Sequence, residues 1–148
     1  MGYQVDRRVY EPAEDSRLLC ATLEKAVVRF PELRGCVLEL GTGSGIVALM
    51  LASLGATVTA TDLNPHAVAL ARSNAREQDL TIEFLQGDLF EPVGDRRFDA
   101  IVCNPPYLPP GGDYDHPAAP GPARKQFVKS EDSCHRLYEG RIACCTRI

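Results

Sequence analysis

Asn104-Pro105-Pro106-Tyr107 is the stretch of this 148-residue chain whose chemistry is most legible. Its two prolines fix the backbone and donate no hydrogen bonds, which leaves the Pro105 carbonyl as an acceptor. Together with the side-chain oxygen of Asn104 it forms a pair of acceptors for the two hydrogens of one NH2 group. Such a pair turns the nitrogen toward an electrophile and stabilises positive charge as it develops there, without a strong base. Tyr107 adds a ring face on which a planar amide or base can stack. Asn104, Pro105, Pro106 and Tyr107 are therefore the catalytic candidates, for group transfer to a planar, nitrogen-bearing substrate.

A second constellation suits a cofactor. Gly41-Thr42-Gly43-Ser44-Gly45 is a glycine turn of the kind that brings backbone close to a ligand at a helix N-terminus. The spacing fits a dinucleotide site imperfectly, because Ile46 stands where that fingerprint has its last glycine. Glu39, two residues before the turn, sharpens the reading: a carboxylate there compensates an ammonium or sulfonium but repels a pyrophosphate. The cofactor expected is S-adenosylmethionine rather than NAD. Asp62 can accept hydrogen bonds from both ribose hydroxyls and Asp88 one from the adenine amino group, with Leu89 or Phe90 packing on the ring. Either aspartate alone reads equally well as a turn or cap residue.

The elements that must carry these residues follow from periodicity. Between Pro12 and Phe30, Leu19, Leu23, Ala26, Val27 and Phe30 recur at helical steps, with Pro12 expected in the first turn. Residues 36 to 40 read as a strand and 46 to 54 as a helix that Gly55 can cap. A strand from Thr57 to Thr61 ends at Asp62, and Asn64-Pro65 supplies an N-cap and first-turn proline for a helix containing Val68, Leu70 and Ala71. Ile82 to Gln86 and Phe98 to Cys103 read as third and fourth strands. The alternation predicts an α/β, Rossmann-like fold: a parallel sheet with helices on both faces and its site at the strand carboxyl ends. Glu39, Asp62, Asp88 and Asn104 all fall at or next to those ends. Residues 1–109 are expected to form the cofactor-binding core. Residues 110–148 read as a divergent tail, Pro- and Gly-rich at its start, with no convincing pair of strands, so the last strands are expected to be missing.

Composition limits the function classes. With 45% hydrophobic and 24% charged residues and a net charge of −4, the chain reads as one ordinary globular domain without a basic face for tight nucleic-acid binding. No apolar run reaches the ~20 residues of a membrane span. The first residues lack a secretory h-region, so a cytoplasmic location is expected. Of six cysteines, Cys20, Cys36 and Cys103 lie in apolar segments and are expected in the core. Cys134, Cys144 and Cys145 form no C-x-x-C pair, and no metal site is expected, His135 beside Cys134 notwithstanding. His66 and His116 read as surface residues.

These motifs resemble those of class I methyltransferases of the HemK type, the release-factor glutamine N5-methyltransferases. Asn104 to Tyr107 matches the NPPY motif with which that family places a glutamine amide. Val9-Tyr10-Glu11-Pro12-Ala13-Glu14-Asp15-Ser16 is similar to the V-Y-x-P-A-E-D-[ST] segment of its small eukaryotic and archaeal branch. The resemblance covers residues 10 to 109. It implies that Tyr10 and Ser16 border the cofactor, that Glu39, Gly41, Gly43, Asp62 and Asp88 contact it, and that Leu63, Leu89 and Asn104 complete the cofactor-binding set. It further implies a protein substrate such as a release factor with a Gly-Gly-Gln segment, and a small zinc-ribbon activator subunit on the sheet edge formed by residues 81–85. It also implies a seven-stranded sheet, of which the last three strands are not legible in the tail. Weak or absent activity of the isolated chain is the expectation, because a shortened sheet leaves an open edge. Two rival functions stand beside this one. Adenine N6 methylation of DNA or RNA uses related motifs, though the acidity of the chain disfavours it; an inactive fragment is the other.

Overall fold

The computed structural model describes residues 3–104 and 143–145. Helix α1 spans Glu14–Arg29, strand β1 Cys36–Leu40, helix α2 Ile46–Ser53, strand β2 Thr57–Asp62, helix α3 Pro65–Glu77, strand β3 Glu83–Gln86, strand β4 Ala100–Cys103 and strand β5 Ala143–Cys145. The strands form one sheet in the order β3-β2-β1-β4-β5, every neighbouring pair parallel. The α/β, Rossmann-like reading therefore holds. Strand order reverses between β1 and β4, and in such sheets a ligand lies in the crevice beyond the carboxyl ends at that reversal.

Side-chain alternation divides the core into two layers. Val37, Val58, Ala60, Phe84, Ala100 and Val102 pack with apolar residues of α1, α2 and α3. Leu38, Leu40 and Cys103 point to the opposite face and meet Val93 of the 3-10 turn Glu91–Val93, with Phe90 and Phe98 at the margin. Helices were expected on both faces; the three described ones share one face, and a turn covers the other. The β1-α2-β2 and β2-α3-β3 units both run in the same direction across the sheet, which places their crossover helices on the same side.

Several local expectations are met. Asn64 caps α3, its side chain accepting from the His66 N–H at 3.0 Å, and Pro65 occupies the first turn. Gly55 after α2 has φ 98°, the left-handed conformation that ends a helix. His66 is exposed. Others are corrected. Pro12 precedes the N-cap Ala13 instead of lying in the first turn of α1. Cys36 is exposed, at the first position of β1 on the face turned away from the three helices; Cys20 is half-buried and Cys103 buried. Strand β4 is not an edge: Ile101, Val102 and Cys103 pair with Ala143, Cys144 and Cys145. That fifth strand escapes a sequence reading because three residues are too few to show alternation. Strand β3 is the edge, as the topology required, and it carries a charge: Glu83 pairs with Arg96 at 2.7 Å and accepts from Thr59 at 2.9 Å. No helix among the described residues is long and apolar enough to cross a membrane.

One buried polar residue ties the N-terminal segment to this framework. Asn74, on α3, is fully buried. Its amide donates to the carbonyls of Ser44 at 2.9 Å and Gln4 at 3.3 Å, and its oxygen accepts from the Gln4 N–H at 2.6 Å. Nearby, Val9 packs on Ala67 and Leu70, and the Asn64 amide donates to the Arg8 carbonyl at 2.8 Å. The segment before α1 is thus strapped along α3. Replacing Asn74 with Ala leaves a buried carbonyl without its donor and should cost about 1–3 kcal/mol. Urea denaturation reads the loss, and hydrogen exchange should show the Gln4 amide deprotected well before the strands.

Candidate functional site

The site is built where β1 and β2 end. Gly41, Gly43 and Gly45 have φ of 72°, 55° and 86°, values that L side chains rarely adopt. Gly45 carries a further requirement, and Gly43 does not. A Cβ on Gly45 would stand 2.9 Å from the Cβ of Ala71, so α2 can start close against α3 only without one. A Cβ on Gly43 would meet nothing within 4 Å, so this side of the turn faces open space. The turn is held from β2: the Thr61 carbonyl accepts from the N–H groups of Gly41 at 2.9 Å and Thr42 at 3.1 Å.

Two carboxylates lie under and beside the turn. Glu39 is buried, and the Thr42 hydroxyl donates to it at 2.6 Å. Loss of water pushes its carboxyl up to about 8, against the opposing effect of the Thr42 bond and with a further push from the charge of Asp62. Asp62 accepts from the Gly43 N–H and the Asn64 N–H, each at 2.8 Å. Its carboxyl is also raised, desolvation outweighing those two bonds. Two acids pushed in the same direction at the carboxyl ends of neighbouring strands describe a place that a positive charge would stabilise.

The third corner follows β3. Leu89 has φ 45°, a conformation uncommon for a branched side chain. It is held there because its carbonyl accepts from the Thr61 hydroxyl at 2.9 Å. The Glu91 N–H donates to the Asp88 carbonyl at 2.8 Å, and Asp88 and Leu89 are half-buried. Gly87 permits this corner, since a Cβ there would lie 2.3 Å from Pro92 Cγ. Strain concentrated at such a corner is a common mark of a functional site.

The fourth corner is Asn104, directly after β4. Its amide nitrogen donates to Asp15 Oδ2 at 3.1 Å and Ser16 Oγ at 3.3 Å, both in the first turn of α1. Ser16 is buried there, whereas Tyr10 is 58% exposed and Leu63 half-buried. The structure therefore brings Asn104 together with Ser16, and Glu39 with Asp62 and the glycine turn, all at the carboxyl end of the sheet. Pro105, Pro106 and Tyr107 lie outside the described residues. Asn74 and Asp15 were missed by the sequence reading. Asn74 looks like any polar helix residue, and the only signal for Asp15 was its place in the Val9 to Ser16 motif. No group of three or more His, Cys, Asp or Glu able to hold a metal exists among the described residues.

A parallel sheet whose order reverses beside an acid-bearing glycine turn defines a Rossmann-like nucleotide-cofactor domain, and comparison with known proteins places it further. Residues 11–115 match the methyltransferase small domain family, and the chain belongs to that family of S-adenosylmethionine-dependent methyltransferases. A putative protein N5-glutamine methyltransferase of Methanocaldococcus jannaschii is 43% identical over 106 residues, 71% of this chain and 50% of that protein. The release factor glutamine methyltransferase of Geobacter sulfurreducens is 39% identical over 111 residues, 74% of this chain and 38% of that protein. The chain thus spans half or less of the length of these relatives. Among solved structures, the Thermus thermophilus 16S rRNA N2 G1207 methyltransferase in complex with AdoMet and guanosine is similar, with TM-score 0.58 and 31% identity. The match covers 69% of this chain and 28% of that one.

Burial of Glu39 has a measurable cost. Its carboxyl titrates at about 8 in the fold, against 4.5 for the ordinary group. Stability from keeping it protonated is present in full below the ordinary value and is lost as pH rises toward the folded one. In that window this one group should remove up to about 1.4 kcal/mol per pH unit from the free chain. Urea denaturation at pH 5, 6.5 and 8 should show the decline, and Glu39→Gln should flatten it; an equal slope in the variant would mean the carboxyl is ionised in the fold.

Proposed function

We propose that the chain is the cofactor-binding half of a protein N-methyltransferase whose substrate is a glutamine side-chain amide, as in a peptide-release factor. The observation that carries this reading is the pairing of Asn104, at the end of β4, with a cation-favouring carboxylate site at the ends of the next two strands, β1 and β2. S-adenosylmethionine, when bound, supplies an electrophilic methyl on a sulfonium.

The residues present fit such a cofactor. Open space beside Gly43 leaves room for a ligand against the backbone of the turn, and Gly41 shapes that turn. Glu39, raised to about 8 in the free chain, would ionise to balance a cationic ligand. Asp62, whose two oxygens already hold Gly43 and Asn64, keeps further lone pairs for ribose hydroxyls. Asp88 and Leu89, at the strained corner, would border an adenine edge and face, with Leu63 beside Asp62. Tyr10 and Ser16 would close the site from the N-terminal strap and α1. Residues 1–109 form the core in this reading.

On the substrate side, the Asn104 oxygen and the Pro105 carbonyl would hold the NH2, with Pro106 keeping the backbone fixed and Tyr107 stacking on the amide plane. These residues orient nitrogen and stabilise its developing charge; the leaving proton passes to solvent after transfer. The relatives that act on release factors support a protein substrate. The net charge of −4 weighs against a nucleic acid. The β3 edge is the surface on which a small zinc-ribbon activator would sit.

Calorimetric titration of the purified chain with S-adenosylmethionine tests the cofactor half first. Binding is expected to weaken by about 2 kcal/mol in Asp62→Ala, the order of charge-assisted hydrogen bonds lost. At pH 7 binding should release a proton, seen as a buffer-dependent heat that Glu39→Gln abolishes. A folded chain that does not bind would overturn the reading, and methylation of adenine in DNA but not of a Gly-Gly-Gln peptide would overturn the substrate class.

A further inference from the structure

We infer that Asp15 is a positioning residue: it fixes which way the Asn104 amide faces, so that the nitrogen lies toward α1 and the oxygen occupies the substrate-facing branch. An asparagine amide has two ends of nearly the same shape, one donating and one accepting. A motif that needs the oxygen end works only if something selects it. An ionised carboxylate makes that selection because it accepts and cannot donate, so only the NH2 end can face it. Asp15 Oδ2 receives the Asn104 Nδ2 at 3.1 Å across a sequence separation of 89 residues. Ser16 Oγ, at 3.3 Å, is the weaker guide, since a hydroxyl can either accept or donate.

A blander role for Asp15 is that of an acid stabilising the N-terminus of α1. The hydrogen bonds do not favour it. The first turn of α1 has no side-chain cap, and the second oxygen, Asp15 Oδ1, is buried without a hydrogen-bond partner among the described residues. The half-buried carboxylate thus has one oxygen committed to Asn104 and, among the described residues, none bonded to the helix end. Its charge has a further effect. Hydrogen bonding of an amide NH2 to an anion draws electron density toward the amide oxygen, making it a better acceptor for a nitrogen that becomes positive. For its catalytic consequence this inference rests on the methyltransferase reading; the orientation itself does not.

The test is the side-chain amide spectrum of the full chain, 15N-labelled, with the Asn104 NH2 pair assigned by its loss in Asn104→Ala. In the wild type this pair should exchange slowly with solvent and sit downfield, as expected for donation to a carboxylate. In Asp15→Ala it should exchange about tenfold or more faster, the fold-change for losing a charge-assisted bond. In Asp15→Asn, which preserves shape and serves if the alanine variant fails to fold, the downfield shift should collapse. An Asn104 signal unchanged in both variants, with only the melting temperature lowered, would overturn the inference in favour of the helix-end role. S-adenosylmethionine titration of the same variants separates the two claims: wild-type affinity with a perturbed Asn104 signal supports positioning. Absence of cofactor binding in the wild type would sink the methyltransferase reading while the spectrum still decides the orientation. Where turnover is measurable, Asp15→Asn should lower kcat with the cofactor KM unchanged.

Discussion

The Thr61 carbonyl, accepting from two successive N–H groups of the glycine turn, is the interaction on which the rest of the site depends. It fastens the loop after β1 to the end of β2, so two strand ends become one rigid corner. From that attachment follow the positions of Gly43 against Asp62 and of Thr42 over Glu39. The Thr61 side chain extends the same junction to the next strand through Leu89. One residue near the carboxyl end of β2 thus ties together the ends of β1, β2 and β3. Backbone groups there cannot be left unpaired in a dry interior, which makes this junction a structural necessity as well as a functional one.

Two carboxylates beside such a junction would be unfavourable in a domain selected for stability alone. Glu39 sits on the helix-covered face of β1, a position where Val37 below it is apolar and fully buried. Burying an acid there raises its affinity for a proton and lowers the stability available at neutral pH. In the proposed reading a cationic ligand would compensate, its charge being balanced when that proton leaves. Chemistry and stability therefore pull this residue in opposite directions, as they commonly do at binding sites.

Much of this was legible in the sequence because the relevant signals are local. Glycines at alternate positions, an acid two residues earlier and an Asn-Pro pair after an aspartate each lie within a few residues of the element they shape, and the Asn64 cap and the Gly55 stop were readable for that reason. What was not legible is non-local. Nothing near Asn74 shows that it reaches Ser44 and Gln4, and nothing near Asp15 shows that it meets Asn104. The exposure of Cys36 depends on where β1 starts and on how little covers the face opposite the three helices. The strand Ala143–Cys145 has no pattern of its own; its pairing is supplied by β4.

The separation between Asp15 and Asn104 has a consequence for how the chain assembles. During synthesis α1, the glycine turn and β2 emerge long before residue 104, and contacts between near neighbours in sequence form fastest. The corner built from Glu39, Asp62 and the glycine turn can therefore take shape before Asn104 has been added to the chain. Asn104 joins that corner later, when β4 slots beside β1 and brings it to Asp15. In the proposed reading, the place for the cofactor would then exist before the place for the accepting nitrogen, which separates occupancy by cofactor from commitment to transfer.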